Sequence, residues 1–106
     1  MLTIKKLCEL SNQRDRECFP ECSDWTLADW MTALAGEVGE AANIIKKIKR
    51  DGWTPKLQVA LGKEIADIQL YLPLLARAAH IDLEQETINK FEETSIRFGS
   101  NLRLKD

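Results

Sequence analysis

The sequence predicts an all-α fold, a four-helix bundle, and three observations predict it. Apolar residues recur at helical spacing through four segments, each segment opens on a capping residue, and no stretch shows the apolar-polar alternation of a strand. At 106 residues, 44% of them hydrophobic, the chain amounts to one domain, residues 1–106. An all-helical chain of this length has a thin core, so association with further copies is expected to complete the bundle.

Thr3 caps a first helix expected to reach about Arg16, with Leu7 and Leu10 on its apolar face, and "CFPECSD" then breaks it at Pro20. Thr26 and Asp29 form a capping-box pattern that opens the second helix, and Gly52 in "RDG" is expected to stop it in a left-handed conformation. The third helix opens with Thr54 as cap and Pro55 at the first helical position, where a missing N–H is not needed. It should run to about His80, with a bend at Pro73. A fourth starts at Asp82, with Gln85 as its reciprocal partner, and fades near Gly99. The connections are short, so consecutive helices are expected to pack antiparallel.

Composition excludes several functions. The formal net charge is -2, and 15 basic residues are interleaved with 17 acidic ones, which leaves no basic surface for general nucleic-acid binding. The one basic cluster, "KKIKRD" (46–51), lies where cations favour the end of a helix. The apolar run in "MLTIKKLCEL" is too short for a signal peptide, and no segment approaches the roughly 20 apolar residues of a membrane span. A cytoplasmic protein with reduced thiols at Cys8, Cys18 and Cys22 is therefore expected. Cys18 and Cys22 with His80 make a poor zinc set, lacking a second histidine and any paired Cys-x-x-C.

The chemistry lies in four acids on the wrong faces. On a helical wheel centred on Glu37, residues Trp30, Ala33, Ala41, Ile44 and Ile48 fall within roughly 40° and Glu40 about 60° away. On the third helix Glu64 and Tyr71 share the stripe of Leu57, Leu61, Ile68 and Leu75, with Asp67 at its edge. Each helix therefore points two carboxylates, spaced i and i+3, along a face that should be buried. Four such groups repel one another and resist desolvation unless a cation joins them. An all-oxygen set suits Mg²⁺, with Mn²⁺ as a substitute, better than zinc. The usual di-iron set needs Glu-x-x-His elements, and the position three before His80 is Arg77.

These residues resemble a known family. "EVGE" (37–40) followed by "EIAD" (64–67) is similar to the E-x-x-E … E-x-x-D signature of the MazG-like all-α nucleoside triphosphate pyrophosphohydrolases. "DGWTP", "IDLEQETINKFE" and "RFG" fall in the family's order, and the layout is nearest to the short dCTP pyrophosphatase branch. The resemblance implies a helical dimer or tetramer that uses Mg²⁺ to cleave a nucleotide between its α and β phosphates, releasing a monophosphate and pyrophosphate. It makes Glu37, Glu40, Glu64 and Asp67 the metal ligands and catalytic acids, one of them also serving the attacking water, and puts Tyr71 by the substrate.

Lys46, Lys47 and Lys90, with Arg97 as a further candidate, are the cations nominated for the triphosphate, and Asn43 for an amide contact. Of the tryptophans, Trp30 is read as core, while Trp25 and Trp53 are candidates to stack on a base. Thr94 and Lys47 depart from residues common in relatives, asparagine and tryptophan respectively, and bear on the choice of base. Two other readings stay open: a non-catalytic oligomer that binds metal and nucleotide or a protein partner, and an enzyme like the phosphoribosyl-ATP pyrophosphohydrolases. Sequence leaves open the nucleobase and sugar, dimer against tetramer, which acid activates water, and how many ions bind.

Overall fold

A computed structural model describes residues 1–105. Four helices follow in order, α1 (Ile4–Cys18), α2 (Leu27–Asp51), α3 (Pro55–Ala78) and α4 (Leu83–Arg97), with a single 3₁₀ turn, Pro20–Cys22, between α1 and α2. No strand occurs among the described residues. None of the helices is long and apolar enough to cross a membrane.

The caps account for the starts. Thr3 and Thr54 accept from the N–H groups of Lys6 and Leu57. At α2 the box closes on both sides: Thr26 Oγ1 accepts from the Asp29 N–H at 3.2 Å, and the Thr26 N–H donates to Asp29 Oδ2 at 2.8 Å. Asp82 closes only half of the expected box. It accepts from the Gln85 N–H, while the Gln85 amide turns outward to Asn89.

The ends hold more surprises. Helix α1 continues past Arg16 to Cys18, because Pro20 breaks the chain only after the Phe19 N–H has donated to the Asp15 carbonyl. Gly52 does take a positive φ of 90°, but its ψ of 167° lies outside the left-handed helical region, in a zone open essentially to glycine alone. Helix α3 runs through Pro73 without a break and ends two residues before His80. His80 then adopts φ 57°, letting the Ile81 N–H reach back to the Ala76 carbonyl at 2.9 Å. Gly99 ends α4 in the same manner, with the Ser100 N–H on the Ser95 carbonyl.

Helix α3 is central. It packs along α2 as a hairpin and meets α1 on another side, while α4 rests on α1 and the end of α3. Helices α2 and α4 do not touch, so a single chain leaves the bundle open. Its radius of gyration is 16.5 Å, against about 13 Å for a compact domain of this length. Trp30, Leu34, Ala41 and Ile48 form the buried stripe of α2, and Pro73 and Ala76 are the buried residues of α3. The expected face of α1 is corrected: Leu10 is 53% exposed, whereas Ser11 and Asp15 are buried. Asp15 is drawn in by Arg77 of α3, which rotates the Leu10 side of α1 outward.

Candidate metal centre and its adjoining cavity

Glu37 stands in the buried stripe of α2, midway between Trp30 and Ile48, and the α2–α3 hairpin sets Glu64 opposite it. Ligand oxygens of Glu37, Glu40 and Glu64 all lie within 4.8 Å of one another. Glu37 and Glu64 are half-buried, and each keeps one oxygen, Oε2, that is buried without a hydrogen-bond partner. Orphaned carboxylate oxygens are costly where water does not reach them. Three converging acids with two such atoms are a donor set that fits a hard divalent cation.

The electrostatics carry the same signature. Burial pushes the Glu37 carboxyl up to about 7, helped by the crowding of the Glu64 and Glu40 carboxyls beside it and by the charges of Glu40 and Asp67. Burial also raises Glu64, as do Glu40 and the charge of Asp67, while Glu37 acts the other way. Asp67 is outside the tight trio but close enough for its charge to act on both glutamates. Tyr71 is raised by burial and then by the charges of Glu37 and Asp67.

Asp67 and Tyr71 also line a cavity of about 410 Å³ whose other walls include Phe19, Trp25, Trp30 and Leu70. Trp30, 4% exposed, is core as expected. Its ring lies 4.6 Å from that of Trp25 and 6.4 Å from that of Tyr71. Trp25 is thus at the cavity, whereas Trp53 is 67% exposed at the α2–α3 turn and not among the lining residues.

The basic candidates are placed differently. Asn43, Lys46 and Lys47 are exposed on α2. Lys90 and Arg97 ride on α4, which does not touch α2; Lys90 pairs with Glu93 at 3.4 Å, and Arg97 lies over the Phe98 ring. None of these five lines the cavity beside the acids. Phe19 and Asp15, which do, went unnoticed in sequence, since they come from α1 and the loop after it and only tertiary packing brings them there.

Fold and site together define the class: an all-α protein whose carboxylate cluster suits a divalent cation and adjoins an aromatic cavity. The chain is 35% identical over 105 residues to dCTP pyrophosphatase 1 of Mus musculus, 34% identical over 105 residues to that of Rattus norvegicus, and 32% identical over 106 to that of Homo sapiens. These likenesses, with the paired acid motifs, make the chain similar to dCTP pyrophosphatase 1 over nearly its whole length. Each match covers 93% of this chain and 59% of the relative, so the chain spans about three-fifths of the length of these relatives. No family model matches the chain.

Proposed function

We propose that the chain is a Mg²⁺-dependent pyrophosphohydrolase of (deoxy)nucleoside triphosphates, clearing surplus or non-standard nucleotides in the cytoplasm, with Mn²⁺ able to replace Mg²⁺. The carrying observation is the trio Glu37, Glu40 and Glu64 with two orphaned buried oxygens, set beside a cavity of nucleotide dimensions. A scaffold gains nothing evident from crowding acids in this way. The names of the relatives make dCTP the first substrate to test.

In this reading Glu37, Glu40 and Glu64 hold the ion and Asp67 assists from the cavity side. When bound, the ion supplies positive charge against the phosphate oxygens and makes water more acidic. The water oxygen bonds to phosphorus at the α–β bridge, the bridging P–O bond breaks, and a carboxylate of the cluster takes the water's proton. Tyr71 orients the substrate through its hydroxyl.

A second copy of the chain completes the arrangement, as a homodimer or homotetramer. Leu27, Met31, Val38 and Ile45 of α2 are each about half exposed, and the last three repeat every seven residues as one unpartnered strip. Assembly is also the way Lys90 or Arg97 could come to the triphosphate, since α4 does not touch α2 within one chain.

Incubating the protein with a panel of ribo- and deoxyribonucleoside triphosphates, with and without Mg²⁺, tests the reading. Monophosphate and pyrophosphate should appear only with the metal, and Glu64→Gln should abolish turnover while keeping the helical signal. Metal-induced stabilisation without cleavage of any nucleotide would leave the non-catalytic binding protein in its place.

A further inference from the structure

Asp15 is a buried carboxylate that the acid cluster does not use. It is 7% exposed near the end of α1, and its Oδ2 accepts from Arg77 Nη2 at 3.0 Å across a sequence separation of 62 residues. Among the described residues no side-chain or backbone donor reaches its Oδ1. The Arg77 guanidinium is itself held in place, lying 5.5 Å over the Trp30 ring. An ion pair whose carboxylate is buried and whose guanidinium is only half-buried is an inefficient way to join two helices, because well-packed apolar residues serve as well or better. Its position suggests another use.

Asp15 lines the cavity of about 410 Å³ that also contains Asp67 and Tyr71. It equally lines a second cavity, of about 480 Å³, that contains Arg77 and His80. Phe19, Cys22, Trp25 and Trp30 are common to both, so the two adjoin along an aromatic wall. Asp67 ties the first cavity to the metal centre, where a triphosphate would lie, and the same lining offers Asp15 and the 38%-exposed Trp25 to a flat ring.

We propose that Asp15, fixed by Arg77, is the residue that selects the nucleobase: its carboxylate accepts a hydrogen bond from an exocyclic amino group on a base stacked against Trp25. The inference rests on the nucleotide reading of this site and adds a specificity-determining side chain to it. An amino group satisfies the carboxylate. An oxo group at the same place sets two acceptors against each other, and a site built to hydrogen-bond its substrate rejects such an analogue strongly. Cytosine is therefore preferred to uracil, and an Asp15→Asn amide, which offers N–H donors, reverses part of that preference.

Binding of the non-hydrolysable α,β-imido analogues of dCTP, dUTP and the 2-pyrimidinone nucleotide, which lacks the amino group, tests this through tryptophan fluorescence. The wild-type protein should bind the cytosine analogue at least tenfold more tightly than either of the others. Asp15→Asn, with its helical signal intact, should cut the cytosine-to-uracil ratio at least tenfold. Asp15→Glu, which keeps the charge for Arg77, serves if the amide does not fold, and should weaken cytosine binding as the acceptor moves by one methylene. Equal binding of the three analogues, no binding of any, or a folded Asp15 variant with unchanged ratio would overturn the assignment. The analogues are not cleaved, so failure of the hydrolysis reading, in which no triphosphate is turned over, is read separately in the product assay.

Discussion

Glu37→Gln should make the metal-free protein more stable at alkaline pH and less responsive to metal. The Glu37 carboxyl sits near 7 instead of its ordinary 4.5. Between those values the folded chain keeps a proton that the unfolded chain has released, so stability falls as pH rises through the window. Above pH 7 the loss is complete. For a fully buried group the shift corresponds to about 3 kcal/mol, and water at this half-buried carboxyl reduces the effect to about 2 kcal/mol. A glutamine mimics the protonated acid. Thermal unfolding without metal, at fixed protein concentration, should therefore show the variant melting on the order of 8 °C higher than wild type at pH 8. At pH 5 the two should nearly coincide. Adding Mg²⁺ at pH 8 should raise the wild-type midpoint and reverse the order, since the variant has lost a ligand. A variant no more stable than wild type at pH 8 without metal would refute the crowding argument, and a full Mg²⁺ response in the variant would remove Glu37 from the site.

Other consequences are open to direct measurement. Thr26→Ala removes the acceptor for the Asp29 N–H at the start of the helix that carries Glu37 and Glu40, and should lower stability by about 1 kcal/mol in denaturant titration. His80→Gly should raise stability by about 0.5–1 kcal/mol, because glycine holds a left-handed conformation without the strain a side chain incurs; an unchanged or lower midpoint would show that the histidine ring makes compensating contacts. Ile45→Glu places a charge on the unpartnered strip of α2 and should shift the sedimentation profile toward monomer while leaving far-ultraviolet helicity intact.

What was legible in the sequence was local. The Thr26 and Asp29 box joins residues three apart, and both of its hydrogen bonds form. Glu37 stood out because a period of 3.6 residues puts it among Trp30, Ala41 and Ile48, and those three are buried. What escaped was set by packing between distant segments. The face of α1 was misassigned because Leu10 looks apolar and Asp15 polar, and nothing within α1 reveals the Arg77 that inverts their order. His80 likewise gives no local sign of its positive φ, whereas Gly99 in the equivalent role does.

The open bundle and the acid cluster belong to one argument. A closed four-helix core would have had to bury Glu37 and Glu64 completely, at several kcal/mol per charge. Here α4 stays away from α2, both glutamates remain half-buried, and their neighbour Asp67 lines a cavity. That leaves both carboxyl groups partly open to solvent while the α2–α3 hairpin keeps them converged. The same openness leaves the Met31, Val38 and Ile45 strip bare. Covering the strip with a second copy would bury apolar surface at about 25 cal/mol per Å² and leave the carboxylates to be satisfied by the ion. On this view assembly and metal binding are coupled. Mg²⁺ should therefore tighten self-association of the wild-type chain in sedimentation experiments, and should have little effect on Glu37→Gln.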